Sequence, residues 1–222
     1  MLELWTVLLP VLLADIINPV LFAFMVYAVG SDRPFLSSIS ALLGHTTAYL
    51  SFGIGLAFAF EAISLRLSNP MPMDYGLGLL IGLLLLWVAW LSRGSDKKKQ
   101  PESRVATVTP LKAFGIGAVI NIIGLPFALP YFAALDQILK ADLTVADSII
   151  VIVGYNLGYA LPFLLVPALA YLMGERSRPV LAKINEKVDK ISAYLMPVML
   201  TLVGCIIVLD AVLYFARGEG LY

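Results

Sequence analysis

A helix that crosses a bilayer takes about 20 mostly apolar residues. Runs of that kind stand at about 2–30, 36–60, 74–92, 112–138, 147–173 and 192–216. Lipid offers backbone N–H and C=O groups no partner, and a helix satisfies them within its own segment. Six such runs in 222 residues leave little room for a water-soluble core. Composition agrees, with 60% hydrophobic residues, 14% charged and a mean hydropathy of +0.92. The expectation is an all-α membrane protein with six transmembrane helices. The first run is too long for a signal-peptide core, has no basic leader and no small-residue cleavage site, and reads as a retained helix.

Polar and proline-rich linkers separate the runs: SDRP at 31–34, LSNPMPMD at 67–74, RGSDKKKQPESR at 93–104, KAD at 140–142 and a basic stretch from Glu175 to Lys190. Lys and Arg are retained on the cytoplasmic side during insertion. With both termini outside, the inner linkers hold twelve of the 15 Lys and Arg, leaving Arg66, Lys140 and Arg217 outside. This predicts an N-out, C-out chain in a prokaryotic cytoplasmic (plasma) membrane. The KKK run reads as a solvated topogenic loop. RPVLAKINEKVDKI, 178–191, spaces apolar residues at helical intervals and reads either as an amphipathic helix on the inner face or as a basic loop.

A weak internal repeat is visible. Gly44-His45-Thr46-Thr47-Ala48-Tyr49 aligns with Gly154-Tyr155-Asn156-Leu157-Gly158-Tyr159, and Asn18-Pro19 faces Leu125-Pro126. Three helices per half force the halves to insert upside down relative to each other, a recurring transporter design. The boundaries are about 1–93 for repeat 1, 94–111 for a cytoplasmic linker and 112–222 for repeat 2, within a single membrane domain.

Polar residues interrupt the first and fourth runs. Pro19 lacks an amide proton and clashes with the preceding turn, so carbonyls near Asp15 and Ile16 lose their helical partners. Asp15 and Asn18 stand beside that gap. NIIGLPFALP, 121–130, repeats the device with Asn121, Gly124, Pro126 and Pro130. Freed backbone at membrane depth must face protein or a watery cavity, so the two breaks point to a central site. The alternative is a pair of static proline kinks. A carboxylate at depth costs on the order of 3 kcal/mol on insertion scales and tends to have a role.

His45, the only histidine, could titrate or bind an ion, though a hydrogen-bonded packing role also fits. Thr46, Thr47 and Asn156 read as interhelical hydrogen-bonders, with lining a path as the alternative. Gly53, Gly55, Gly76, Gly78 and Gly82 read as sites of close helix approach. Asp136 and Asp210 read as interfacial, and Trp87, Trp90 and the tyrosines near helix ends as belt anchors. No HExxH, GxSxG or phosphate loop occurs, and no metal or cofactor is expected. Nothing suggests nucleic acid, and a lone Cys205 supplies no internal dithiol.

Several stretches resemble CcdA-type proteins, the membrane domain related to DsbD. ADIINPVLFAF is similar to the family's first helix, GLPFALP to its fourth, YNLGYALPFLLVPALA to its fifth, and EKVDKISAYLMPVMLTLVGCIIVL to its last inner loop and sixth helix. The resemblance implies two inverted three-helix halves. In the family a cysteine after each proline forms a redox pair that passes electrons from cytoplasmic thioredoxin. Val20 and Phe127 stand at those positions here, and neither supplies a thiolate. What the resemblance leaves is the wider superfamily, similar to LysE-type exporters and GAP-type lipid-addressing proteins, which transport amino acids, metal ions or lipid-linked molecules.

The sequence therefore predicts a transport protein that moves a small solute or ion by alternating access. Its pathway would use Asp15, Asn18, Pro19, His45, Asn121, Pro126, Pro130 and Asn156. Two readings stand beside it: a thiol-disulfide relay in cytochrome c maturation, working through a thioredoxin-like partner's cysteines, and a non-transporting membrane scaffold.

Overall fold

Prolines and short polar stretches divide the apolar runs into helices. The computed structural model describes residues 2–67, 72–92, 108–123, 128–141 and 143–220. Among them every regular element is helical: α1 (Leu2–Asp15), α2 (Pro19–Val29), α3 (Pro34–Leu67), α4 (Pro72–Ser92), α5 (Pro110–Ile123), α6 (Leu129–Leu139), α7 (Val145–Phe163), α8 (Leu165–Met173) and α9 (Ser177–Arg217). Four of them, α2 to α5, begin on a proline. That position suits proline, because the first-turn N–H has no intrahelical partner and the fixed φ is already helical. The basic linker 93–104 and Gly124, Pro126 and Phe127 lie outside the described residues.

Three helical stretches are long and apolar enough to cross a membrane: Pro34–Ala59, Pro72–Leu91 and the run Val145–Arg217. The bent pair Glu3–Asp15 and Pro19–Val29 makes a fourth if it counts as one span. The chain is thus a helical membrane protein, but this count does not reach the expected six. The reason lies in the interruptions. α5 and α6 have 14 and 11 residues, and neither alone reaches the length of a crossing.

The end of the chain departs from expectation in another way. Residues 178–191 are helical, but they do not form a separate surface helix. They continue without a break into the sixth apolar run, giving the 41-residue α9. No glycine or proline falls between Pro179 and Pro197 to stop it. The last turns before the junction are tied by Asn185 to Asp189 at 3.1 Å and Lys190 to Glu186 at 2.8 Å. The break found instead separates α7 from α8 at Leu164, two residues after Pro162.

By contact the chain divides into two units. Unit 1 comprises residues 1–60 and 103–190, and unit 2 residues 61–102 and 191–222. In unit 1, α1 packs on α6 and α7, α2 packs on α5 and α8, and α6 packs on α7. The turn from α2 to α3 is tied to the residues before α5, with Ser31 Oγ donating to Ser37 Oγ at 2.8 Å and Ser37 Oγ to the Val108 carbonyl at 3.1 Å. α3 and α5 cross closely. A Cβ added at Gly44 would strike the Phe114 carbonyl oxygen, and one at Gly117 the Ala41 carbonyl oxygen.

Unit 2 pairs α4 with the later part of α9 in the same manner. A Cβ at Gly82 would stand 3.1 Å from the Gly204 carbonyl oxygen, and one at Gly204 would stand 3.0 Å from that of Gly82. Tyr75 and Tyr214 stack with centroids 3.7 Å apart. Close approach thus holds for Gly82 and also for Gly53, whose Cβ would meet the Tyr131 hydroxyl. It does not hold for Gly55 and Gly76, beside which nothing lies within 4 Å. Leu80, Leu83, Trp87 and Trp90 of α4 are exposed, as a lipid-facing surface requires.

Candidate functional site

The break between α1 and α2 follows from two residues. A proline's Cδ pushes the residue before it out of the α region. Asn18 accordingly takes φ −109° and ψ 95°. Its side-chain Oδ1 accepts the Leu21 N–H at 3.0 Å, and Pro19 occupies the first helical position, so Asn18-Pro19 starts a helix as much as it stops one. The Asn18 N–H donates to the Ile16 carbonyl at 2.8 Å, and the two helices bend by 54°. Asp15, the last residue of α1, is left at the break.

Asp15 is 0% exposed, and among the described residues no other Asp, Glu, Lys or Arg is buried. Tyr155 of α7 donates to its Oδ2 at 3.0 Å. One turn further along α7, the Tyr159 hydroxyl accepts from Asn18 Nδ2 at 3.1 Å. The Tyr131 hydroxyl of α6 donates to the Tyr49 carbonyl at 2.8 Å and accepts from Asn156 Nδ2 at 3.1 Å. Rings close the cluster. Tyr49 stacks on Tyr131 at 4.2 Å and lies 5.3 Å from Tyr159, while His45 lies 4.6 Å from Tyr49 and 5.4 Å from Tyr159. Asn121 of α5 completes it, its Nδ2 donating to the His45 carbonyl at 3.4 Å.

The structure therefore brings together Asp15, Asn18, His45, Asn121 and Asn156, five of the residues singled out from the sequence. Pro19 is buried at the start of α2, and Val20, in its first turn, is partly exposed. Pro130 is buried beside Tyr131 in α6, while Pro126 and Phe127 lie outside the described residues. His45 departs from the hydrogen-bonded packing role: both ring nitrogens lack a partner, and the ring is held by aromatic faces. Asn156 makes the interhelical hydrogen bond expected of it. Asp136 is half-exposed and pairs with Lys140 at 2.7 Å.

Four residues at the centre, Tyr49, Tyr131, Tyr155 and Tyr159, were not foreseen, because tyrosines in an apolar chain read as interface anchors. A signal was available. His45 and Tyr49 are four apart on α3, as are Tyr155 and Tyr159 on α7, and residues so spaced share one helix face.

The cluster is crowded with polar atoms that lack partners. Among the described residues eight buried side-chain atoms are of this kind, and one of them, on Asn185, lies outside the cluster. The others are Asp15 Oδ1, both His45 nitrogens, Thr46 Oγ1, the Tyr49 hydroxyl, Asn121 Oδ1 and Asn156 Oδ1. Each buried orphan costs about 1–3 kcal/mol. Such a concentration makes the cluster the candidate site. Beside it lies a cleft of about 310 Å³ formed by α3, α5 and α6. Ala48, Ala118, Ala128, Phe52 and Phe132 give it apolar walls, while Tyr49, Asn121 and Tyr131 are shared with the cluster. Phe52 and Phe132 are exposed and meet edge to face at 5.4 Å. Among the described residues no three His, Cys, Asp or Glu are grouped to hold a metal.

Asn18 offers a direct check on the break. Asn18→Ala removes the cap and the bond to Tyr159, and should lower stability by about 1–2 kcal/mol. Thermal melting of the detergent-solubilised protein reads this, and an unchanged melting temperature would mean that the cap does not hold the break.

A buried polar centre at a helix break, flanked by an apolar-walled cleft, defines a helical membrane protein with an internal site. The chain belongs to the SfLAP family, described as Sap, sulfolipid-1-addressing protein, whose profile matches residues 8–212. No curated protein and no solved structure matches it. The family corrects the CcdA/DsbD resemblance, which rested on short apolar stretches around prolines that any proline-broken membrane helix can carry. With that resemblance goes the implied thioredoxin-like partner. Cys205 is exposed and belongs to unit 2, whereas the polar cluster lies in unit 1.

Proposed function

We propose that this chain moves an amphiphilic lipid across the cytoplasmic membrane of a prokaryote, taking part of the molecule into the cleft between α3, α5 and α6. The carrying observation is the make-up of that cleft: alanine and phenylalanine walls beside a polar edge of Tyr49, Asn121 and Tyr131. Apolar walls suit an acyl chain, and the amide and hydroxyls suit a headgroup or glycosyl oxygen. Its volume falls at the lower end of the ligand-site range of roughly 300–1,000 Å³, enough for part of a lipid. The description of the family as sulfolipid-addressing supports the substrate class.

The proposal includes six crossings, N-out and C-out, in two inverted halves of about 1–93 and 112–222. Two features support it. α1 packs on α6 and α2 on α5, as two broken spans do when they run antiparallel. The repeat alignment also sets His45 against Tyr155 and Tyr49 against Tyr159, and these residues share one cluster.

The experiment is lipid movement in proteoliposomes, followed as the loss of fluorescence from a headgroup-labelled phospholipid when an impermeant quencher is added outside. Ala48→Phe with Ala118→Phe fills the cleft and should abolish protein-dependent movement. Wild-type protein that moves no lipid, or a filled cleft that works as well as the open one, overturns the reading.

A further inference from the structure

The cleft between α3, α5 and α6 is walled by two stretches of chain that carry neither acid nor strong base. From Pro34 to Phe60 and from Ala113 to Leu135 the sequence holds no Asp, Glu, Lys or Arg. The charges nearest in sequence are Arg33 and Glu61 on one side, Lys112 and Asp136 on the other. The His45 imidazole, in the first stretch, is buried against the Tyr49 and Tyr159 rings and is not among the described lining residues.

The polar edge of the cleft has few donors left to give. Asn121 Nδ2 is committed to the His45 and Ala118 carbonyls at 3.4 and 3.2 Å, and the Tyr131 hydroxyl donates to the Tyr49 carbonyl. The two carbonyls also fix which end of the Asn121 amide is nitrogen, because an amide oxygen in that place would face two acceptors. What stays without a partner is the Asn121 oxygen, an acceptor, and the Tyr49 hydroxyl. An anionic oxygen is itself an acceptor and needs several donors or a cation to leave water.

Depth and exposure say what surrounds the cleft. In the apolar helical stretch Pro34–Ala59, Ala48 stands about 21 Å from the first residue and about 17 Å from the last at 1.5 Å per residue, inside a hydrocarbon layer of about 30 Å. Phe52 of α3 and Phe132 of α6 line the cleft and are also 46% and 37% exposed, so they stand at its rim. At that depth an exposed ring faces lipid chains, and the rim opens sideways onto them.

We propose that the acyl chain is the part of the lipid that enters this cleft, sideways from the hydrocarbon layer between Phe52 and Phe132, and that a charged headgroup stays outside it; this rests on the reading of the cleft as a lipid site. A chain that enters exchanges lipid neighbours for alanine and phenylalanine walls, apolar for apolar. A charged headgroup that entered would lose its water and meet no counter-charge. The cleft therefore selects lipids by chain and not by headgroup charge.

Photo-crosslinking tests this on the full chain in proteoliposomes with two phosphatidylglycerol probes, one carrying a diazirine near the end of an acyl chain and the other on the headgroup. Mass spectrometry identifies the labelled residues. The acyl probe should label Tyr49, Asn121 and Tyr131; the two tyrosines are 4% and 1% exposed, out of reach of a chain that only lies against the protein surface. Ala48→Phe with Ala118→Phe should abolish that labelling and leave the labelling of the exposed Leu80, Leu83 and Trp87 as in the wild type. The headgroup probe should leave Tyr49, Asn121 and Tyr131 unlabelled. If the filled variant does not fold, the contrast between the two probes in the wild type decides. Absence of acyl labelling at these three residues, labelling by the headgroup probe to the same extent, or acyl labelling that survives in the filled cleft overturns the proposal. Acyl labelling as stated in a protein that moves no lipid keeps the chain seat and removes the transport reading alone, whereas lipid movement with headgroup label in the cleft keeps transport and overturns the exclusion.

Discussion

Gly117→Val is expected to leave little or no folded protein in detergent, whereas Gly115→Val, two residues away on the same helix, should behave like the wild type. At Gly117 a Cβ would run into the Ala41 carbonyl oxygen, while at Gly115 nothing lies within 4 Å. The obstacle at Gly117 is backbone, which cannot rotate aside as a side chain can. The reciprocal contact of Gly44 with the Phe114 carbonyl fixes the crossing from the other helix. Overpacking a filled interior usually costs about 1–3 kcal/mol, and a backbone collision on a helix crossing belongs at or above the top of that range. Lipid tails are as apolar as the helices, so association in a bilayer depends on close contact between small residues. Size-exclusion profiles and thermal melting of the two variants provide the comparison. A Gly117→Val protein that melts as the wild type does would show that α3 and α5 do not cross there.

Tyr131 is the second position where a large loss is expected. Its side chain is 1% exposed, stacks on Tyr49, donates to the Tyr49 carbonyl and accepts from Asn156. Tyr131→Ala removes a buried ring and should cost about 3–5 kcal/mol. Tyr131→Phe keeps the ring and removes only the hydroxyl, which should cost about 1 kcal/mol because Asn156 retains its 2.8 Å bond to the Ile152 carbonyl. Denaturant-induced unfolding in detergent separates the two. Equal losses would mean that the hydroxyl, not the ring, holds the cluster together. The residue also lines the cleft, together with Tyr49 and Asn121. Tyr131→Ala should therefore impair lipid movement even where the residual fold survives.

The position of the first break was legible because Asn-Pro acts locally. Proline restricts the residue before it and asparagine caps the helix after it, and neither effect needs a distant partner. The polar residues of the site were legible for a related reason: Asp15, Asn18, Asn121 and Asn156 are conspicuous in apolar runs, where each has to be compensated. The tyrosines were not, since tyrosine is as much at home at the membrane interface as in a hydrogen-bonded core. The family resemblance failed for the same reason that the helices were easy to find. Apolar stretches with prolines are common to many membrane proteins and separate one family from another poorly.

By itself the sequence determined that the chain is helical and membrane-embedded, where the first run breaks, and which polar residues stand out within the apolar runs, because hydropathy and proline geometry act over a few neighbouring residues. Only the tertiary structure decided that Asp15 would meet Tyr155, 140 positions away in sequence, and that Tyr49, Tyr131 and Asn121 would belong both to the polar cluster and to the lining of an apolar-walled cleft. Those meetings depend on where glycines let helices approach and on which faces pack, and both are settled by several segments together. The same cooperation made α9 one helix across a change from amphipathic to apolar sequence, since nothing in that stretch stops a helix once its neighbouring turns are formed.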